Sequence, residues 1–483
     1  MPDQVRHDGL LGAVRHGGLG MTAKLHSPTW TLVMSVCASS LSFIDGSVLN
    51  VALPAIRQSL HATAADAQWV VNAFTLPLAA LILTGGALGD HQGRRRWLVI
   101  GTALFGMASL LCALSRSLEP LLAGRALQGV GAALLLPNSL ALLNSAYEGE
   151  ARGRAVGIWA AAGAISAAIA PLIGGWLVSH AGWPAIFYIN LPFAAAAIAV
   201  AYFRVAEAKN GDRASLDIMG AALATVGLGA LTWGLTLWSA HRAFSPAAGW
   251  TLAIGIAMLG LFLWVERRRG PEAMIPLGYF GRADFSSLNL MTFLLYGAFG
   301  SALLLLPYVL ITAGGYSPVE AGLAMLPFPI IISFGSPIMG QLATKIGPRW
   351  PLTIGPLVVA AGLLLGTRVA SGQTYWTDVL PGVGLMAIGM ALAVAPLTSA
   401  VLVTVDPEHT GMVSGFNSAL SRTGGLIGVA LLGAVLASTG QAILEPYEVA
   451  LMIAAAVAAC AGLVAFLGLK TCPSPKAKAA SPA

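Results

Sequence analysis

Long apolar runs alternate with short polar or basic breaks from residue 31 to residue 469. Fourteen runs stand out, at 31–54, 68–89, 97–115, 119–145, 155–178, 183–203, 218–239 and 249–265, then at 285–311, 320–343, 351–369, 378–404, 413–438 and 447–469. An apolar helix of about 20 residues crosses a hydrocarbon core of roughly 30 Å. Backbone groups in lipid must find partners within their own segment, so each run is expected to be helical. The pattern predicts an all-α fold, a polytopic membrane helix bundle of 14 transmembrane helices.

Composition strengthens this reading and adds an orientation. The 483 residues are 57% hydrophobic and only 10% charged, with a mean hydropathy of +0.79, outside the range of soluble domains. Of the 26 Lys and Arg residues, 20 fall on the two tails and the even-numbered connections. Arg57, Arg116, Arg242 and Arg368 fall on odd-numbered connections, and Arg125 and Arg422 lie inside spans. Basic residues accumulate on the cytoplasmic side, so both termini are expected in the cytoplasm of a bacterial-type inner membrane. The net charge of +6 then reports topology and gives no reason to propose nucleic acid. Residues 1–29 lack the apolar core and cleavage site of a signal peptide and read as a retained tail, in which His7, His16 and His26 are solvated. Cys37, Cys112, Cys460 and Cys472 have no CxxC spacing, so neither a disulfide framework nor a metal site is indicated.

One connection occurs twice. "GALGDHQGRRRWL" (Gly86 to Leu98) and "GQLATKIGPRWPL" (Gly340 to Leu352) share Gly, Leu, Gly, Arg and Leu at matching offsets. The first copy follows the second span and the second follows the tenth. This spacing predicts an N-terminal six-helix half at 30–204, two additional helices with flanking cytoplasmic loops at 205–284, and a C-terminal six-helix half at 285–470, with tails at 1–29 and 471–483. Many secondary transporters are built from such repeats, with the substrate path between them.

The first copy resembles the loop signature GxLaDrxGrkxxl between helices two and three of the major facilitator superfamily. "RALQGVGAA" (Arg125 to Ala133) is similar to that superfamily's fourth-helix motif. "IDGSVLNVALP" (Ile44 to Pro54) and "WPAIFYINLP" (Trp183 to Pro192) resemble first-helix and sixth-helix signatures of its fourteen-helix drug:proton antiporter branch. The helix-five antiporter motif gxxxGPxxGG is represented by Ser166, Ala170, Pro171, Gly174 and Gly175, a helix-packing motif with two glycines replaced by small residues. Pro184 stands where the branch has arginine, and Thr344 in the second loop copy stands where the first has Asp90. The resemblance implies a multidrug efflux transporter in which Gly86, Asp90, Gly93 and Arg94 form a conformational latch between the halves. By residue chemistry alone, Gly89 and Gly93 suit a tight reversal, and Arg94, Arg95 and Arg96 can pair with Asp90. A purely topogenic arginine cluster is the other reading.

Function should turn on charge inside the membrane, where an ionisable residue marks a site by default. Asp45 is the one acid well inside a predicted span, and Arg125 lies at comparable depth. Asp45 is expected to exchange a proton or a cationic substrate, with Arg125 favouring proton release when the site opens inward, and Gln128, one turn along, completing the hydrogen bonding. A structural pair fixing helix packing is the alternative. Arg422 is expected to pair with an acid such as Asp406 or to meet an anionic substrate group. Asn50, Asn190 and Asn417 are polar residues in apolar helices, and Tyr296, Phe299 and Tyr308 are candidates to line an apolar path.

No Walker loop, GxSxG, HExxH or paired intramembrane aspartates occur, so the chain is not expected to be an enzyme and no cofactor is expected. The proton gradient is the expected energy source. The reading is proton-coupled export of hydrophobic drugs or toxic small molecules by alternating access. A metabolite transporter of the same fold and a non-transporting membrane sensor or scaffold are the alternatives. Expected partners are the small-molecule substrate, protons and the lipid bilayer, with a periplasmic adaptor protein allowed for and otherwise a monomer.

Overall fold

A computed structural model describes residues 28–207, 217–241, 245–270, 277–369, 374–405, 410–438 and 440–469. His7, His16, His26, Cys472 and Asp406 lie outside the described residues. Among these residues 13 helices are long and apolar enough to cross a membrane. The remaining expected span, the thirteenth in order, is helical over Thr410–Ala430, carries Asn417, Ser418, Ser421, Arg422 and Thr423, and is interrupted before a short helix at Gly433–Leu436. The fold is the expected polytopic bundle.

We number the spans α1 (Pro28–Ser59), α2 (Ala64–Gln92), α3 (Arg94–Leu114), α4 (Leu118–Ala146), α5 (Gly149–Ala181), α6 (Ala185–Arg204), α7 (Ile218–His241) and α8 (Pro246–Arg269). They continue as α9 (Ala283–Thr312), α10 (Pro318–Ala324 and Pro327–Ile346), α11 (Arg349–Gly366), α12 (Leu380–Val403, entered through a π-helical turn at Tyr375–Val379), α13 (Thr410–Ala430) and α14 (Leu444–Gly468). The end of the bundle with the turns after odd-numbered helices is called the odd end, and the other the even end.

The packing repeats. In the first set of six, α4 packs on α2 and α3, and α1 on α5 and α6; in the second, α12 packs on α10 and α11, and α9 on α13 and α14. The sets meet where α2 lies on α13 and α5 on α10, while α7 and α8 pair with each other and dock through α7 on α2 and α13. The repeat extends beyond the loop visible in the sequence. Thr63 with Asp66, and Ser317 with Glu320, form capping boxes that start α2 and α10, each 23 residues before the first glycine of its loop copy. In both loops the second of the two shared glycines takes a positive φ, 116° at Gly93 and 85° at Gly347, a conformation open to glycine. The arginine shared by both copies does the same work twice. Arg95 Nη1 donates to the backbone oxygen of Val205 at 2.8 Å, and Arg349 Nε to that of Phe466 at 3.1 Å, each fastening the sixth helix of its set.

Hydrogen bonds join the two sets at the odd end. Gln68 Nε2 on α2 donates to the backbone oxygens of Val429 and Ala430 at 2.9 and 3.1 Å. These carbonyls lie at the interrupted end of α13, where the backbone turns tightly and the Leu432 N–H also donates to the Val429 oxygen at 3.0 Å. Ser239 on α7 donates to Ala430 at 2.7 Å. Arg57 Nη1, in the last turn of α1, donates to the Tyr308 hydroxyl at 2.5 Å and also to the Leu436 oxygen. Tyr308 is therefore buried and hydrogen-bonded at the odd end.

Candidate functional site

α4 places the central residues because its motif sends different positions to different neighbours. Gly129 faces α2, where an added Cβ would stand 2.2 Å from the Phe74 backbone oxygen; Gly131 faces α3, with 2.7 Å to that of Gly101. With both glycines spent on close helix approach, Arg125 and Gln128 project into the space enclosed by α1, α2, α3 and α6.

There Arg125 Nη1 lies 2.6 Å from Asp45 Oδ2, with both residues 1% exposed. The same nitrogen donates to Gln128 Oε1 at 2.7 Å, and Arg125 Nε donates to the Val70 backbone oxygen at 3.0 Å. Gln128 Nε2 donates to Asp45 Oδ1 at 3.3 Å and to Ser109 Oγ at 2.8 Å. Ser109 accepts a further bond from Asn190 Nδ2 at 3.2 Å and donates to Phe105. The Arg125 guanidinium stands 4.7 Å from the Phe74 ring centroid and 5.9 Å from that of Phe187. Both Asp45 oxygens accept bonds and the guanidinium is paired, as a buried ion pair requires if it is not to be strongly unfavourable. The network is drawn from the first six helices alone. Sequence separations of 80 and 83 residues hid the contacts, although similar depth in two spans pointed to the pair.

The loop differs from expectation in its partners. Arg94 Nη2 lies 2.8 Å from Asp90 Oδ1, and its Nε donates to the same oxygen at 2.8 Å. Arg95, by contrast, turns to Glu207 at 3.8 Å, and Glu207 also accepts from the backbone N–H groups of Arg95 and Arg96 at 2.9 and 3.1 Å. Those N–H groups belong to the first turn of α3, a site that favours a carboxylate. Gly89 makes no reversal: it lies within α2, and an added Cβ would collide with the Asn138 side chain. Gly86 packs on Pro137.

Gly174 and Gly175 of the helix-five motif face different partners. A Cβ on Gly174 would meet the Val48 side chain at 2.2 Å, and one on Gly175 the Pro318 backbone oxygen at 2.4 Å. Gly322 lies against the Pro171 oxygen in the same way, so this motif is where α5 meets α10 near the odd end.

The remaining candidates lie apart from Asp45. Asn417 donates to Thr292 at 2.8 Å and approaches Asn289, joining α13 to α9. Phe299 stacks on Phe328 with centroids 4.9 Å apart. Tyr296 and Arg422 are neighbours and partly exposed, as is Asn50 on α1. Asp45 is not the sole acid removed from solvent: Glu266 and Asp217 are 0% and 3% exposed, Asp217 lying 3.3 Å from Arg269. Both sit at the even ends of α7 and α8, one residue beyond the predicted spans, which is why hydropathy alone left them outside. A cleft of about 780 Å³ opens at the odd end, lined by Pro54, Arg57, His61, Tyr308, Thr312 and Pro318 among others. Among the described residues no group of three His, Cys, Asp or Glu side chains converges as a metal site.

Comparison with known proteins agrees with this architecture. The family model of the Major Facilitator Superfamily matches residues 35–283 and 288–483. The chain is 35% identical over 425 residues to the multidrug resistance protein Stp of Mycobacterium tuberculosis, covering 86% of this chain and 77% of that protein. It is 32% identical to the tetracenomycin C resistance and export protein of Streptomyces glaucescens, covering 86% and 77%, and 34% identical to the puromycin resistance protein pur8 of Streptomyces alboniger, covering 85% and 82%. Among solved structures, the POT family transporter PepTSo superposes with a TM-score of 0.69 at 14% identity, covering 91% of this chain and 97% of that one, a likeness of fold.

Proposed function

The chain belongs to the major facilitator superfamily, and on that premise we propose that it is a drug-efflux transporter that exchanges hydrophobic small molecules for protons by alternating access. The observation that carries the proton coupling is the enclosed Asp45–Arg125–Gln128 network. A carboxylate that holds a guanidinium and an amide can release both when it takes a proton, so protonation is converted into freedom for α4 to move relative to α1 and α2.

The distribution of Lys and Arg supports both termini in the cytoplasm, which makes the odd end external. On that reading the bonds from Arg57, Gln68 and Ser239 tie the two sets together on the outside. Asp90 and Arg94 then pair within their own loop, free to engage the other half when the transporter faces outward. We take residues 30–204 and 285–470 as the two moving halves, supported by capping boxes, loop glycines and arginine anchors that recur at one spacing. Residues 205–284 ride with them, and 1–29 and 471–483 are tails. A single chain supplies the whole coupling network and is taken as the transporting unit. The substrate path is assigned to Asn50, Gln128, Tyr296, Phe299 and Arg422, with Pro171, Gly174 and Gly175 as the packing point between halves.

The test is proton-driven transport of a panel of hydrophobic dyes, anionic, neutral and cationic, in inside-out vesicles, native protein against Asp45→Asn at equal membrane abundance. Native transport that is lost in the variant is expected. Equal transport by both would remove Asp45 from coupling.

A further inference from the structure

Arg422 is the membrane-depth cation that the Asp45 network leaves out. It lies 12 residues into α13, about 18 Å along the helix at 1.5 Å per residue. Among the described residues no carboxylate or hydrogen-bond acceptor partners its guanidinium, and its side chain is partly exposed. Asp406, the acid expected opposite it, lies outside the described residues and before the start of α13. Arg125 is neutralised by Asp45 at 2.6 Å, so among the described residues Arg422 is the membrane-depth positive charge without a counter-ion.

Its surroundings suit a particular kind of molecule. An added Cβ on Gly297 or Gly300 of α9 would meet the Gly424 backbone oxygen at 3.2 Å or the Gly425 Cα at 3.1 Å, so α9 and α13 cross closely one turn beyond Arg422. That crossing sets Tyr296 beside the guanidinium, its hydroxyl a second donor. One turn further along α9, Phe299 stacks on Phe328 with an interplanar angle of 16°, giving a flat apolar wall. An isolated guanidinium at this depth is costly. Any occupant that displaces its water must bring an acceptor, and the guanidinium fork matches a carboxylate in particular.

We propose that Arg422 and Tyr296 form an anion-binding subsite of the substrate path, with Phe299 and Phe328 as its aromatic wall, and that the substrate is an aromatic acid held by its carboxylate or phenolate. The proposal rests on the export reading, in which this region is the substrate's route. Binding needs neither a gradient nor a direction, so the two can fail separately. If vesicles show no proton-driven export while the binding result stands, the transport reading falls and the subsite remains.

The test is equilibrium fluorescence binding to the full chain in lipid nanodiscs of three probes with one ring system: 9-anthracenecarboxylate, its primary amide and 9-(aminomethyl)anthracene. Native protein is expected to favour the carboxylate over the amide about tenfold, worth about 1.4 kcal/mol. Arg422→Gln should bring that ratio to about one, and Arg422→Glu should favour the ammonium probe, a gain that misfolding cannot produce. A native protein with no preference for the carboxylate, or one that binds none of the probes, overturns the proposal, as does Arg422→Gln that keeps the preference. Should both arginine variants fail to bind anything, Tyr296→Phe decides. It keeps the charge and removes one donor, so a preference narrowed about threefold supports the subsite and an unchanged one overturns it.

Discussion

Asp45 holds one partner through each oxygen, and the two partners are tied to each other, so loss of either is felt by both. Gln128 is the bridge: its amide nitrogen reaches Asp45 and Ser109 while its oxygen accepts from Arg125. Gln128→Met keeps the volume and the ion pair but removes the bridge. A buried hydrogen bond to a charged group contributes about 1.5–3 kcal/mol, so the efflux rate is expected to fall at least about tenfold while its dependence on external pH persists. Asp45→Asn should instead abolish that dependence, and efflux measured across a pH series in vesicles separates them. A Gln128→Met protein with pH-independent transport would show that the amide takes part in proton exchange itself. At this scale the sequence was legible where two side chains of opposite charge shared a depth in neighbouring spans, as Asp45 and Arg125 do. It was not legible for Val70, which contributes a backbone oxygen that any residue could supply, or for Glu207, more than a hundred residues from the N–H groups it caps.

Among the elements, α4 shows how a motif divides its labour: charge and amide toward the site, glycines toward the neighbours. Gly129→Ala places a methyl 2.2 Å from the Phe74 backbone oxygen, which cannot move without moving α2. The helices must separate beside the Arg125–Val70 contact, one turn away. Overpacking of this kind costs about 1–3 kcal/mol, and the expected outcome is normal membrane insertion, a lowered thermal midpoint in detergent and strongly reduced efflux. Full efflux with an unchanged midpoint would mean that the α2–α4 approach does not position the arginine. The spans themselves were readable because length and apolarity alone decide them. The interruptions in α6, α10 and α13 were not, since each depends on what receives the freed backbone groups. For α13 the receivers are Gln68 and Ser239, on helices that no local pattern connects to it.

For the whole molecule the question is which end opens, and the sequence repeat answers only half of it. Arg95 and Arg349 fasten both sets alike, but Asp90 and Arg94 have Thr344 and Pro348 as counterparts, so the even-end loop pair exists once. At the odd end the cross-links are also one-sided: Arg57 of α1 reaches Tyr308 of α9 and the chain beyond α13. Arg57 reads in sequence as an ordinary connection residue, and only the folded chain shows that it spans the two sets. If these bonds hold the outside shut, Arg57→Gln should shift the population toward the outward-open form. A loss of about 1.5–3 kcal/mol corresponds to a shift of at least about tenfold. The measure is labelling of a Val51→Cys reporter, buried in the floor of the odd-end cleft, by a membrane-impermeant thiol reagent in right-side-out vesicles, with Cys37, Cys112, Cys460 and Cys472 replaced by serine. Faster labelling when Arg57→Gln is added is expected, and Tyr308→Phe should give a smaller change in the same direction because the Leu436 carbonyl still holds the guanidinium. Labelling that is unchanged in Arg57→Gln would place the external closure elsewhere, with the Gln68 and Ser239 caps on α13 next in line.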